Sequence, residues 1–197
     1  MFATGYSSIE NDIVSYEIPT ENPIITTNRV VVLALDESLT AQYAFQYAKD
    51  KLLRPNDLVC LLNVMPTNSP PPLESLDVGA MFVDTGYLSE QQKYNEQHSK
   101  WLLKTYKKLL NNKTRLFSLV GDNRDEIVRA CHNLHANLAI LGSRDLSGLH
   151  RLFLGSTSDY CIHNLECPVF IVKPPEHVEV APILSADTTT NKSSKSD

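Results

Sequence analysis

Five apolar runs alternate with amphipathic stretches along the middle of the chain. The runs occupy residues 29–35, 58–64, 115–120, 138–141 and 168–172. Consecutive apolar positions, as in VVVLAL, are typical of parallel strands that helices cover on both faces. The stretches between the runs repeat apolar residues at helical spacing, as at Ala41, Ala44, Phe45 and Ala48. The pattern predicts an α/β fold, an open five-stranded parallel sheet flanked by four helices.

Polar residues and prolines at the ends of these runs indicate the helix boundaries. Ser38 is placed to cap the helix after the first strand, and Pro55 to end it. Ser89 and Gln92 have the spacing of a capping box for the second helix. Each predicted helix therefore connects two strands that run in the same direction.

The two ends of the chain lack this periodicity. We expect residues 1–28 to be an N-terminal tail, 29–174 a single domain, and 175–197 a disordered C-terminal tail rich in Ser, Thr and Lys. Residues 66–88 form one long irregular connection with consecutive prolines at 70–72. Loops of this length are usually functional or disordered. A lid, a partner-binding peptide and passive disorder are all open for it.

Composition narrows the class of protein. A hydrophobic content of 42% with 21% charged residues is that of a globular core, and the net charge of -5 argues against nucleic acid as a partner. The first residues lack the basic start and apolar region that are typical of a signal peptide, and no run approaches the ~20 apolar residues of a membrane-spanning helix. The sequence therefore predicts a cytoplasmic protein with no membrane partner and leaves a nuclear location open. The cysteines lie mostly in apolar runs and are expected to be reduced core thiols: Cys60, Cys131, Cys161 and Cys167.

The stretch from residue 137 to residue 173 carries the strongest functional signal. The apolar run 138–141 ends at Gly142 and gives way to a polar loop. The loop closes with Gly155, Ser156, Thr157 and Ser158 at the start of a helix-like segment. The first N–H groups of a helix have no intrahelical acceptor and carry the positive end of the helix dipole. The pattern therefore predicts a site for a phosphate or another anion.

This stretch resembles the universal stress protein family, and the resemblance covers roughly residues 29–174. ATP-binding members carry Gly, two residues, Gly, nine residues, then Gly followed by Ser or Thr. Gly142, Gly155 and Ser156 match that motif, whereas Asp145 stands where the motif has its second glycine. The surrounding segments GSR, LSGLHRLFLGS and CPVFIVKP are similar to the sequences that family members usually have at these positions.

The resemblance implies a Rossmann-like, adenine-nucleotide-binding sandwich that holds ATP as a regulatory ligand in a stress response. Asp36 would accept a hydrogen bond from a ribose hydroxyl, and backbone groups near Ala34 and Val64 would meet the adenine. The remaining implied residues would surround the phosphates: Gly142, Arg144, Gly155, Ser156 and Thr157. The resemblance also implies a homodimer that pairs through the last strand.

Asp145 argues against ATP binding at the implied site and leaves a second function open. If the position needs a left-handed backbone, its side chain costs about 1 kcal/mol. Its carboxylate near a phosphate adds about 1 to 3 kcal/mol of repulsion. Arg144 could offset this cost, or Asp145 could bind a Mg²⁺ carried by the nucleotide. The alternative is a nucleotide-free dimeric binding or scaffold module of the same fold.

Other chemistries find less support in the residues. Gly155 lacks the Lys-Ser/Thr pair of a Walker P-loop, and no base can be assigned to the serines beside it, so catalysis is not implied and slow ATP hydrolysis is left open. A receiver-like phosphoacceptor would use Asp36, Glu37 and Lys173 but lacks a clear aspartate ending the third strand. Cys131, His132 and His135 lie within about one helical turn, but the helical period directs Cys131 to the core, which argues against a metal site there.

Overall fold

The computed structural model describes residues 14–18, 28–67, 85–143, 155–175 and 182–185, with side chains of the 85–107 helix described from residue 89. A parallel six-stranded sheet forms the centre of the domain. Its strands are β1 (Val14–Ser15), β2 (Val30–Ala34), β3 (Leu58–Met65), β4 (Lys113–Val120), β5 (Leu138–Gly142) and β6 (Val169–Val172). The order across the sheet is β1-β4-β3-β2-β5-β6.

Four α-helices flank the sheet, as the pattern predicted. They are α1 (Leu39–Tyr47), α2 (Thr85–Lys107), α3 (Asn123–Asn133) and α4 (Ser156–Asn164). A π-helical turn, Ala48–Leu52, extends α1. Ser38 caps α1 as expected, since its hydroxyl accepts from the Ala41 N–H at 3.2 Å. None of the helices in the described ranges is long and apolar enough to cross a membrane.

The sheet has one strand more than the five we expected. β1 lies in the segment predicted as a tail, where Val14 pairs with Leu116 and Ser15 with Phe117 on the outer edge of β4. A strand of two residues is too short to show an alternating pattern, so it could not be predicted from the pattern of apolar residues. The remaining residues of 1–27 lie outside the described part of the chain.

The predicted capping box of the second helix is wrong. α2 already begins at Thr85, so Ser89 and Gln92 lie inside the helix. The Gln92 amide donates to Glu96 one turn further on, at 3.3 Å, instead of satisfying a helix end. The helix therefore takes up the last residues of the long connection, whose positions 68–84 lie outside the described residues.

Each face of the sheet is covered by one pair of helices. Val31, Leu33 and Leu61 point to the face covered by α1 and α2, where Phe45 and Tyr106 are fully buried. Alternate residues of the same strands point to the face covered by α3 and α4. This burial on both faces explains why the strands read as uninterrupted apolar runs.

A buried carboxylate supports the opposite end of the sheet from the strand carboxyl termini. Asp57 is 3% exposed and accepts from the Arg29 guanidinium at 2.6 and 3.0 Å and from the Arg54 N–H at 2.7 Å. Burial opposes ionisation, but these hydrogen bonds and the Arg29 charge hold the pKa of Asp57 below its ordinary value. The ion pair ties the start of β2 to the turn before β3.

Part of the C-terminal segment packs on the domain. Ile183–Ser185 forms a short 3₁₀ helix, and Ile183 and Leu184 contact the core face of α1 and α2. The buried Gln42 of α1 accepts from the Ile183 N–H at 2.7 Å and donates to the Glu37 carbonyl at 2.9 Å. These residues therefore fold against the domain, whereas the predicted disorder at 176–181 and 186–197 lies outside the described residues.

Candidate functional site

A cleft of about 160 Å³ opens at the carboxyl edge of the sheet, where β2, β3 and β5 end. The chain leaves β2 for α1 on one face and leaves β5 for α4 on the other, and these two strands are neighbours. In open parallel sheets ligands bind at such a divergence of connections. The topology therefore places the candidate site between β2 and β5.

Seven of the eight residues predicted for the site line this cleft. They come from three strand ends and one helix start: Ala34, Asp36, Val64, Gly142, Gly155, Ser156 and Thr157. Arg144 and Asp145 lie outside the described residues, as does the rest of the loop 144–154. The structure thus brings together residues that are up to 123 positions apart in the sequence, from Ala34 to Thr157.

Asp36 is held in a fixed orientation just beyond β2. Its Oδ1 accepts from the Ser38 N–H at 2.9 Å and also from the Ser38 hydroxyl. The Tyr106 hydroxyl donates to the Asp36 carbonyl at 3.4 Å. Burial, with a smaller contribution from Asp36, raises the pKa of Tyr106, so the phenol remains a neutral donor. Backbone and carboxylate of Asp36 are therefore both anchored beside the cleft.

Asn63 is a lining residue that the sequence analysis missed. Its side-chain amide donates to the Leu35 carbonyl at 2.8 Å, beyond the last paired residue of β2. This bond and the bond from the Leu35 N–H to the Leu62 carbonyl, at 2.8 Å, link the ends of β2 and β3 beside the cleft. The signal for it was present, because Asn63 is the one polar residue in the run LVCLLNV.

Gly142 has a packing role that needs no ligand. A Cβ at this position would lie 2.7 Å from the Thr40 carbonyl oxygen and 3.0 Å from the Ala41 nitrogen. Both atoms belong to the backbone of the first turn of α1, which cannot swing aside as a side chain can. The sequence analysis assigned this glycine to the approach of a phosphate, and the structure adds the approach of a helix.

The first turn of α4 faces the cleft without a side-chain cap. Gly155 is its N-cap residue, with φ -60° and ψ 149°, and the Asp159 N–H makes the first intrahelical bond to the Gly155 carbonyl at 2.9 Å. The N–H groups of Ser156, Thr157 and Ser158 precede that bond and have no intrahelical acceptor. These three donors converge at one wall of the cleft.

Ser158 adds a hydroxyl to this wall that we did not assign to the site. The residue is 3% exposed and lines the cleft, yet its side chain makes no hydrogen bond to another described residue. No fully buried side-chain oxygen or nitrogen among the described residues lacks a hydrogen-bond partner, so the Ser158 hydroxyl keeps access to the cleft, where a ligand or water can bond it. Ser158 followed Gly155 in the predicted anion site, but only its burial distinguishes it from an ordinary helix serine.

The electrostatics of the described lining favour an anion at one end only. No Lys or Arg belongs to the described lining, so α4 supplies the positive potential through its helix dipole. Asp36 supplies negative charge on the opposite side. Among the described residues no group of His, Cys, Asp and Glu side chains is placed to hold a metal ion. The arrangement suits a ligand with a phosphate at one end and hydroxyl donors at the other.

Comparison with known proteins agrees with this architecture. The universal stress proteins PHOS34 and PHOS32 of Arabidopsis thaliana are 28% identical over 177 residues and 27% identical over 168 residues. These alignments cover 80% and 78% of this chain. They cover 66% and 68% of the relatives, so the chain spans about two thirds of their length.

Solved structures share the fold at low identity. The hypothetical protein MJ0577 superposes with a TM-score of 0.60 and 22% identity, over 76% of this chain and 99% of that one. An Arabidopsis thaliana universal stress protein, At3g01520, solved with AMP bound, gives a TM-score of 0.55 and 18% identity, over 75% and 93% of the two chains. The sequence profile of the universal stress protein family matches residues 27–173, and this chain therefore belongs to that family.

Proposed function

We propose that the chain binds ATP or another adenine nucleotide in the cleft as a regulatory ligand in a stress response. The observation that carries the proposal is the uncapped first turn of α4. Its N–H donors converge on a cleft that also contains the anchored carboxylate of Asp36. A nucleotide offers what both ends of this cleft require, namely phosphate oxygens and ribose hydroxyl donors.

The phosphate end would lie against α4. The N–H groups of Ser156, Thr157 and Ser158, together with the hydroxyls of these residues, can donate to phosphate oxygens. A phosphate would serve as the cap of the helix, since it satisfies donors that have no intrahelical acceptor. Arg144 and the loop that contains it would supply further charge, as the family motif implies.

The nucleoside end would lie against β2 and β3. The Asp36 carboxylate can accept from a ribose hydroxyl while keeping its bond to Ser38, because ionised carboxylates accept several hydrogen bonds. Backbone groups near Ala34 and Val64 would meet the adenine, beside the Asn63 bond that links the two strand ends. The related protein At3g01520 was solved with AMP, which supports an adenine nucleotide as the ligand class.

Isothermal titration with ATP, AMP and adenosine tests the two ends separately. We expect ATP and AMP to bind more tightly than adenosine, because adenosine leaves the α4 donors unoccupied. In Asp36→Asn we expect all three to bind about 10- to 100-fold more weakly, since a hydrogen bond to a charged group contributes about 1.5 to 3 kcal/mol. The asparagine oxygen can still accept from the Ser38 N–H, so the variant keeps the local fold.

Asp50→Asn is the matched control for this titration. It makes the same chemical change at an exposed position of the helix after β2, where Asp50 accepts from Gln46 at 2.7 Å and does not line the cleft. Equal binding of ATP and adenosine, or equal loss in both variants, would contradict the proposed placement of the nucleotide.

A second candidate function is a dimeric binding module, which the sheet edge favours. β6 is the last strand of the sheet, and its Phe170 is 45% exposed. An unpaired strand edge with an exposed aromatic side chain is suited to pairing with a second copy. Light scattering of the wild type and Phe170→Asp tests it. A dimer in the wild type and a monomer in the variant support the module, whereas a monomeric wild type rejects it.

A further inference from the structure

A second groove, of about 460 Å³, lies between α3 and α4 on the far side of those helices from the nucleotide cleft. Two of its lining residues are cysteines, Cys131 of α3 and Cys167 of the turn before β6. Both are free thiols, with Cys131 buried and Cys167 half-buried. The groove therefore brings together two cysteines that are distant in sequence, and solvent reaches the half-buried Cys167.

The two thiols contact each other in an asymmetric way. Cys167 packs against the core cluster that contains Cys131, and the Cys131 thiol acts as hydrogen-bond donor toward the Cys167 sulfur. The Cys131 hydrogen bond lowers the pKa of Cys167 below that of an ordinary thiol, although burial opposes the shift. The same hydrogen bond and burial raise the pKa of Cys131. Cys167 is thus the stronger candidate for the thiolate, and Cys131 for the neutral partner.

The other two cysteines provide a contrast within the same core. Burial raises the pKa of Cys60 to about 12 and that of Cys161 to about 11. Both side chains are fully buried and neither lines the groove. They match the core thiols expected from the sequence, whereas Cys167 at the groove is half-buried and has a second thiol, Cys131, as its neighbour.

We propose that Cys131 and Cys167 form a redox-modification site, which hydrogen peroxide converts into a reversible intramolecular disulfide. The Cys167 thiolate attacks one peroxide oxygen, the O–O bond breaks, and the departing hydroxide takes a proton to become water. The resulting Cys167 sulfenic acid is then attacked by the Cys131 sulfur, which gives up its proton as the S–O bond breaks and a second water leaves. Peroxide is reduced and the two thiols are oxidised.

The disulfide would add a covalent link between the edge of the sheet and α3. It would close the chain between residues 131 and 167, a segment that includes β5 and α4, and would tie the turn before β6 to α3. Because a cross-link restricts the unfolded chain, the oxidised protein should melt about 5 to 10 °C above the reduced protein. The site and its effect are independent of whether the cleft binds a nucleotide.

Peptide mapping of the full chain after peroxide treatment tests the proposal without any substitution. We expect a disulfide-linked peptide joining Cys131 to Cys167, loss of two of the four titratable thiols, and recovery of both on addition of dithiothreitol. Cys161→Ala, which removes a buried thiol outside the groove, should give the same linked peptide. If the wild type yields no peptide linking Cys131 to Cys167 at a peroxide dose that oxidises Cys167, the proposal is overturned.

A second variant tests the role of Cys131 as the resolving thiol. In Cys131→Ala we expect Cys167 to proceed to sulfinic acid, detected by mass spectrometry as a gain of two oxygen atoms that dithiothreitol does not reverse. The wild type should resist this over-oxidation under the same conditions. If Cys167 reaches the sulfinic state equally fast in both proteins, Cys131 does not intercept the sulfenic acid and the proposed pair is refuted.

Discussion

Replacing Gly142 by alanine should destabilise the protein even when no nucleotide is present. The added Cβ would lie 2.7 Å from the Thr40 carbonyl oxygen, 2.8 Å from the Thr40 carbonyl carbon and 3.0 Å from the Ala41 nitrogen. Since all three atoms belong to the backbone, relief requires α1 or β5 to move. Overpacking of this kind typically costs about 1 to 3 kcal/mol.

A movement of α1 also strains the cap of the helix. The Ser38 hydroxyl holds the Ala41 N–H at 3.2 Å, and loss of an N-cap bond costs about 1 kcal/mol. For a chain of this length, a loss of about 1 to 3 kcal/mol lowers the melting temperature by about 2 to 12 °C. The assay is thermal unfolding by circular dichroism in nucleotide-free buffer.

Gly155→Ala is the matched control for this melt. The backbone of Gly155 has φ -60° and ψ 149°, which alanine adopts without strain. We therefore expect its melting temperature to stay close to that of the wild type while that of Gly142→Ala falls. If Gly142→Ala has the same melting temperature as the wild type in the absence of nucleotide, the packing argument is wrong and the glycine is needed only for ligand binding.

Three further changes address other parts of the account. Asp57→Asn should lower the free energy of unfolding by about 2 kcal/mol at pH 7. Arg29 helps keep the pKa of Asp57 in the folded state below the ordinary carboxyl value. Thermal melts in acid should therefore show a smaller difference between variant and wild type as the pH falls below about 4. Gln42→Ala removes the acceptor for the Ile183 N–H, so hydrogen exchange at residues 183–185 should accelerate with little change elsewhere. Asp145→Gly should tighten ATP binding about tenfold or more by titration, and an unchanged affinity would favour the nucleotide-free module.

The parts of the fold that depend on local pattern could be predicted from the sequence. Because β2 and β3 are buried on both faces, they are continuous apolar runs in the sequence. Ser38, in the connection between β2 and α1, marked the start of α1 as its N-cap residue. β1 could not be predicted, because its two residues owe their conformation to pairing with β4 rather than to their own sequence. The start of α2 was also missed, since a capping signal inside the helix imitated its beginning.

The same division holds for the candidate site. Asp36 and Gly155 could be predicted because the carboxyl end of a parallel strand and the start of a helix are marked locally in the sequence. The place of Asn63 and Ser158 in the site could not be predicted, because it depends on tertiary contacts. Asn63 bonds the end of β2, and Ser158 lies in the wall of the cleft that α4 forms. The role of Gly142 beside a phosphate stays a prediction, and its contact with the backbone of α1 could not be predicted because it exists only in the folded chain.

A thermal melt with and without Mg-ATP, run on the wild type and on Gly155→Asp, tests the central claim most directly. At about 100 times its dissociation constant a ligand stabilises by roughly 2.7 kcal/mol, which corresponds to about 5 to 10 °C here. An aspartate at the N-cap can bond the free N–H groups of α4 itself, so Gly155→Asp should melt no lower than the wild type without ATP. The account predicts an ATP shift in the wild type and none in Gly155→Asp. Equal shifts in both proteins, or no shift in the wild type, would contradict it.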